Sequence, residues 1–357
     1  MIARLNLVVS LTLLAWSATL PATELGLPDF SPPADNLPTP AKIALGKQLF
    51  HDKRLSSDGS ISCASCHVPD KAFSDGLPVA KGIGGKLGTR NTPTLLNVAF
   101  EHNLFWDGRR TSLEEQAKDP FINPQEHGFK THAQIVAIIR ADAAYRQAFK
   151  QAFSVAPAAI TIEHVVQAIA SFERTLMAAD SPFDRYQFGT DKTALTAEAM
   201  RGLALFTGRA KCVTCHVIGK TSATFTDNQF HSLGVGYRKI ESRLAAITLR
   251  FAQLHGKPID HSILSDTDIS ELGRFTVTLN PQDIAKFRTP SLRNVALTAP
   301  YMHDGSVATL EDAVALEIYY RGVESNQPLI LTLPERSDLV AFLHALTSTR
   351  LQRNLGH

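Results

Sequence analysis

Apolar positions fall mostly at helical spacing, and polar, glycine- and proline-rich stretches cut them into discrete segments. Thr39-Pro40-Ala41 opens a helix that runs through Phe50, with proline at an early position and Ile43, Leu45, Leu49 and Phe50 apolar. The same period returns from His132 to Phe153, through Ile135, Ile138, Ile139 and Tyr145, and again from Ile162 to Ala178. Ser181-Pro182-Phe183-Asp184 interrupts it, and Gly189-Thr190-Asp191 reads as a linker between domains. Further helices are predicted over Thr196–Phe206 and Pro334–Thr347, the latter carrying Leu339, Val340, Phe342, Leu343 and Leu346. No strand-like alternation of useful length occurs, so the expectation is a mostly α protein.

The first residues do not belong to this pattern. Met1-Ile2-Ala3-Arg4 precedes an apolar run from Leu5 to Leu20 and then Pro21-Ala22, which reads as a secretory signal peptide over residues 1–22 with cleavage between about residues 17 and 23. A membrane anchor is the competing reading, but the run is short of the roughly 20 apolar residues of a span, so no stable membrane insertion is expected. Five prolines between Leu27 and Pro40 then predict an extended leader on the surface. A chain of 357 residues is long enough for two domains, and its net charge of +2 gives no reason to expect nucleic acid.

All four cysteines sit in two pentapeptides, Cys63-Ala-Ser-Cys66-His67 and Cys212-Val-Thr-Cys215-His216. In this pattern two thiols add to the vinyl groups of a haem and the adjacent histidine becomes an axial ligand. A redox dithiol or a zinc site would explain one match, but neither requires a histidine after both pairs. Two covalent c-type haems are expected, and their attachment outside the bacterial cytoplasm agrees with export to the periplasm. An internal repeat accompanies them. Thr92-Pro93-Thr94-Leu95-Leu96-Asn97-Val98-Ala99 matches Thr289-Pro290-Ser291-Leu292-Arg293-Asn294-Val295-Ala296 at an offset of 197, which continues through Trp106-Asp107-Gly108 and His303-Asp304-Gly305 to Ser112–Glu115 and Thr309–Asp312. The haem motifs are offset by 149, so the second half carries about 48 extra residues. These include the polar stretch Tyr237–Leu279, expected to form a loop or small subdomain. Two haem domains related by a repeat follow, over residues 28–186 and 191–350.

These residues resemble the bacterial di-haem cytochrome c peroxidases and their MauG relatives. The resemblance rests on both haem motifs, Arg90-Asn91-Thr92-Pro93, Phe105-Trp106-Asp107-Gly108-Arg109, Ser112–Gln116, Asn123-Pro124-Gln125-Glu126 and Ala299-Pro300-Tyr301-Met302-His303-Asp304-Gly305, in order along nearly the whole chain. It implies two cytochrome c-like domains, with peroxide reacting at the N-terminal haem beneath Gln116, Pro120 and Glu126. A carboxylate there can move a proton between the peroxide oxygens, and the amide can hold the peroxide by a hydrogen bond. A surface carboxylate is the alternative for Glu126. Trp106, the single tryptophan left after removal of the leader, is implied to lie between the haems and pass electrons. Asn91, Thr298 and Pro300 match calcium ligands, hard oxygen donors as that ion requires.

The chain departs from the peroxidases in two places. No histidine occurs between His67 and His102, where Gly82-Ile83-Gly84-Gly85 stands instead, which predicts an open, five-coordinate first haem with no need of reductive activation. His102 is expected at the surface, and His51, His231 and His303 in structural or propionate-contacting roles. At the second haem the methionine position is Glu317, the repeat counterpart of Pro120. Tyr319 by the Tyr-Tyr-Arg-Gly alignment, or Tyr320 on the helical face of Glu317, is the expected iron ligand, with core packing as the alternative for either.

The resemblance therefore implies a MauG-type oxidase that uses peroxide and high-valent haems to oxidise tryptophan or tyrosine of a partner protein. A cytochrome c peroxidase fed by a small cytochrome or cupredoxin is the second possibility, and a plain electron carrier the third.

Overall fold

The computed structural model describes residues 24–254, 259–324 and 328–354; the predicted signal peptide lies outside them. The first unit contains α1 (Pro40–His51), α2 (Cys63–Cys66), α3 (Leu113–Ile122), α4 (His132–Ala141), α5 (Ala143–Phe153) and α6 (Ile162–Glu173). After α7 (Pro182–Gln187), the second unit is built on α8 (Ala197–Thr207), α14 (Leu310–Glu324) and α15 (Leu333–His344), and α16 (Thr349–Asn354) follows. Between α8 and α14 come α9 (Tyr237–Ile240), α10 (Leu244–Ala252), α11 (Ile259–Ser265), α12 (Thr267–Glu271) and α13 (Phe275–Thr278). The described strands are a two-residue pair, β1 (Phe230–His231) and β2 (Phe287–Arg288), antiparallel with Phe230 opposite Arg288.

Helix starts follow from local chemistry. Thr39 caps α1 by accepting from the Lys42 N–H, with Pro40 at the first helical position, and Thr196 caps α8 by accepting from Ala199. The continuous helix predicted over His132–Phe153 is two helices. Asp142 ends α4 and its side chain accepts from the Ala144 and Tyr145 N–H groups to start α5, a capping geometry that outweighs unbroken apolar spacing.

Each unit is organised by one helix crossing. α1 packs across α6 and α8 across α15. At the crossings a side chain on Gly46 would meet the Ala168 carbonyl and Phe172, and one on Gly202 would meet the Asp338 carbonyl and Phe342. Only glycine permits this approach. Around the first crossing lie Leu49, Phe50, Ile135, Ile139, Tyr145, Phe149 and Ile169, and around the second Phe183, Phe206, Phe225, Leu339 and Phe342, all buried. Burying such side chains supplies roughly 1.5–3 kcal/mol each before the entropy cost of ordering them.

The leader is less superficial than predicted. Leu27 and Asn36 are buried, and Asn36 Nδ2 donates to Glu114 Oε1 at 2.7 Å and to the Gln167 carbonyl at 2.9 Å. The insert Tyr237–Leu279 is a small helical subdomain with its own core of Ile240, Ile247, Phe251, Ile263, Leu264, Ile269 and Leu272. It does not stay with its own unit. Thr89 donates to the Ile263 carbonyl and Arg90 to the Ser270 carbonyl, so the second half's insert covers part of the first unit.

Candidate functional site

Each Cys-x-x-Cys-His motif opens onto its own cavity. The first, about 160 Å³, is lined by Cys63, Cys66 and His67, and the second, about 250 Å³, by Cys212, Cys215 and His216. No disulfide joins any of the four cysteines. His67 Nδ1 lies 3.1 Å from the Phe73 carbonyl and His216 Nδ1 2.9 Å from the Phe225 carbonyl, so each ring has its Nε2 left for a ligand. Burial holds both imidazoles below the usual histidine range, His216 down to about 4, which keeps them in the neutral, metal-binding form.

The opposite walls are matched at the 197-residue offset. Leu113, Gln116, Ala117, Pro120 and Phe121 of α3 line the first cavity, and Leu310, Ala313, Val314, Glu317 and Ile318 of α14 line the second. Both helices begin alike, with Ser112 accepting from the Glu115 N–H and Thr309 from the Asp312 N–H. Glu126 completes the first wall. The loop through Gly82 holds it there: a side chain on Gly82 would strike the Gln125 carbonyl, and the Ile83 N–H donates to the Glu126 carbonyl at 3.1 Å. That loop brings glycine, not histidine, to the first cavity. His102 is exposed and lines neither cavity.

Burial pushes the Glu126 carboxyl up to about 7; Arg109 opposes the rise, while Asp119 and Asp260 reinforce it. Arg109 is itself clamped between Asp107 (2.9 Å) and Asp260 (2.6 Å) with its guanidinium over the Phe105 ring. Asp260 comes from the insert, as does Leu264 in the cavity wall. The arrangement makes Glu126 a group that exchanges a proton near neutrality.

Trp106 lines both cavities, and its Nε1 donates to the Asn91 carbonyl at 2.8 Å. Asn91 lines both cavities as well, and Thr298 and Pro300 line the second. Neither the Thr298 nor the Pro300 carbonyl accepts a hydrogen bond among the described residues. His303 is buried in the wall of the second cavity, 2.6 Å from Glu271, and Lys239 pairs with both Glu271 and Asp304. His231 lines the same cavity and pairs with Asp227 at 2.8 Å, whereas His51 is exposed and lines neither.

Neither tyrosine expected as a ligand of the second haem lines the second cavity. Tyr319 is 53% exposed, its hydroxyl accepts from Arg238 at 3.1 Å, and it does not line the cavity. Tyr320 is half-buried against Gly234, with Arg238 over its ring, and does not line the cavity either. On α14 the positions facing inward are those of the 310, 313/314, 317/318 and 321 stripe, and 319 falls off it. Glu317 and Arg321 face the cavity instead.

Four wall residues were not singled out from the sequence. His127 lines the first cavity with Nδ1 2.6 Å from the Leu55 carbonyl, and its place next to Glu126 was the available signal. Glu173 lines the same cavity. Buried Arg90 has Nε and Nη1, and buried Arg288 has Nε, without a hydrogen-bond partner among the described residues. Both line the first cavity, and Arg288, paired with Glu101, lines the second as well. Unpaired guanidinium donors at a cavity wall suit an anionic group, and paired thiols, a neutral axial imidazole and apolar walls suit a macrocycle. The residues fit two c-type haems, including their propionates.

Known proteins agree. Residues 40–192 match the family model described as di-haem cytochrome c peroxidase. The chain is 41% identical to cytochrome-c peroxidase IdrP1 of Denitromonas iodatirespirans, over 90% of this chain and 86% of that one. It is 37% identical to methylamine utilization protein MauG of Methylorubrum extorquens, over 88% and 80%. Among solved structures it is similar to a MauG-like protein associated with microbial copper homeostasis, with a TM-score of 0.74 and 34% identity over 94% and 97% of the two chains. The diheme peroxidase BthA from Burkholderia thailandensis follows with a TM-score of 0.68 and 26% identity, over 92% of each chain. The chain belongs to the di-haem cytochrome c peroxidase family, which includes MauG, and is a peroxidase-type oxidoreductase with two c-type haems.

Proposed function

We propose that the protein is a MauG-type oxidase that meets hydrogen peroxide at the first haem without prior reduction and withdraws electrons from tryptophan or tyrosine side chains of a partner protein. The observation that carries this reading is the first cavity's distal wall: Gln116, Pro120 and Glu126 face it, and the loop that closes it is pinned to Glu126 and brings no histidine. When bound, the iron supplies the two-electron reduction of peroxide. Glu126, poised near neutrality, takes the proton from the near oxygen and returns it to the leaving oxygen. Gln116 orients the peroxide by hydrogen bonding, and Pro120 offers no ligand atom. Trp106 stands in the wall common to both cavities and provides the electron path between them.

In the same reading Glu317 would help to hold the second haem's iron, because it is the anionic oxygen donor that α14 turns inward. Asn91, Thr298 and Pro300 hold one calcium ion near the wall between the haems. The two haem units span residues 28–186 and 191–350, and residues 1–22 direct export to the periplasm.

A cytochrome c peroxidase drawing on a small cytochrome or cupredoxin is the second reading, favoured by the relatives that carry that name. Peroxide added to the ferric protein without reductant decides between them. The MauG-type reading predicts a long-lived oxidised species by rapid-scan absorbance, and an absolute requirement for half-reduction would overturn it.

A further inference from the structure

Glu173 closes α6 in the wall of the first cavity. It is 5% exposed, and its Oε2 has no hydrogen-bond partner among the described residues. The helix crossings fix which residue of the second unit stands in its place. Gly46 lies under the Ala168 carbonyl and the Phe172 Cβ, and Gly202 under the Asp338 carbonyl and the Phe342 Cβ. Matching those contacts sets Ile169 against Leu339 and Glu173 against Leu343, and all four line their respective cavities. One wall position is therefore leucine in the second unit and a carboxyl in the first. The packing accepts leucine, so the fold does not call for an acid there, and burying an acid without a partner is costly.

Burial pushes the Glu173 carboxyl up to about 8; Arg174 opposes the rise and Glu114 adds to it. Those two neighbours pair with each other at 2.6 Å, so their fields at Glu173 largely cancel. Cys63 of α2 is also close enough to couple to it, and that thiol becomes a thioether on haem attachment. Glu126, His127, Arg90 and Arg109 stand elsewhere on the cavity wall.

We propose that Glu173 is a redox-linked proton site of the first haem, binding a proton when the iron gains an electron and releasing it when the iron is oxidised. The second haem, walled by Leu343, has no such group at that place. In the balanced step one electron passes from an external one-electron donor to ferric iron, and one proton passes from solvent to the Glu173 carboxylate. The physical cause is Coulombic. In a site of low dielectric the extra positive charge of oxidised iron favours the carboxylate, and its loss favours the acid. The negative charge then compensates the first haem in its oxidised states. This inference requires a haem at His67 and is independent of which partner the enzyme serves.

Potentiometric titration of the holoprotein across pH, with the two haems followed separately by absorbance and paramagnetic resonance, tests it. The first haem's midpoint potential is expected to fall with rising pH, approaching about 59 mV per tenfold change in proton activity for one proton per electron. Glu173→Gln is expected to flatten that slope and leave the second haem unchanged. Glu173→Leu should do the same, in a protein that folds because Leu343 already occupies the equivalent place. Redox-difference infrared spectra should show a protonated-carboxyl band on reduction that Glu173→Gln removes. Both variants keeping the wild-type slope and band would overturn the proposal. So would a slope that survives in them and vanishes in Glu126→Gln.

Discussion

The two haem units share a helix crossing, a start to the distal helix and five matched wall positions, and they differ in what those positions carry. Where the first unit has Gln116 and Pro120, the second has Ala313 and Glu317. Proline has no ligand atom, and under the proposed function it would leave room in the first cavity for a small molecule held by the Gln116 amide. Glutamate brings a carboxylate to the matched position of the second cavity wall. Position 173 repeats the lesson in the other direction, carboxyl against the first haem and Leu343 against the second. One scaffold thus carries two unlike cavity walls by exchanging a few side chains, with Trp106 in the wall common to both.

The comparison breaks most visibly at Glu126. Glu126→Gln is expected to slow the reaction with peroxide by about 10²–10⁴-fold, the usual contribution of a positioned acid–base group, measured by stopped-flow absorbance. The second haem's spectrum should not change. Next, Glu317→Ala should alter the ligand-sensitive near-infrared charge-transfer band of the second haem and leave the first intact. Tyr319→Phe should leave both alone, because Tyr319 points to solvent.

Smaller effects test the common scaffold. Gly46→Ala and Gly202→Ala should each destabilise the fold by about 1–3 kcal/mol, or more where the backbone cannot shift, read from denaturant midpoints. Near-equal costs at the two sites would support the repeat, and a loss at one alone would break it. Smallest is the pH effect. The base form of Glu126 is the carboxylate, so the peroxide reaction should rise with pH through about 7. Asp260→Asn removes a negative charge that favours the acid, so the rising limb should move to lower pH. An unmoved limb would show that the insert does not tune the site.

Much of this architecture was legible in the chain. The haem motifs, the repeat and the segments that became α1, α6, α8 and α15 follow from spacing and turn chemistry, which act locally. Gln116, Pro120, Glu126 and Trp106, singled out through the family resemblance, line the first cavity. What the sequence left open needs longer range or finer register. Tyr319 was drawn from an alignment carrying a two-residue insertion, and on a helix two residues turn a side chain to the far face. The contact of Asp260 with Arg109 spans the two halves, and no local pattern announces it. The equivalence of Glu173 with Leu343 comes only from the matched contacts of Gly46 and Gly202, which no local pattern announces.

The asymmetry of the two irons is tested most directly by paramagnetic resonance of the resting ferric holoprotein during titration with azide, before any reductant is added. The expected result is a high-spin signal from the haem at His67 that one equivalent of bound anion converts, while the haem at His216 does not respond. Two low-spin, six-coordinate haems at the outset, or two that bind azide alike, would contradict it.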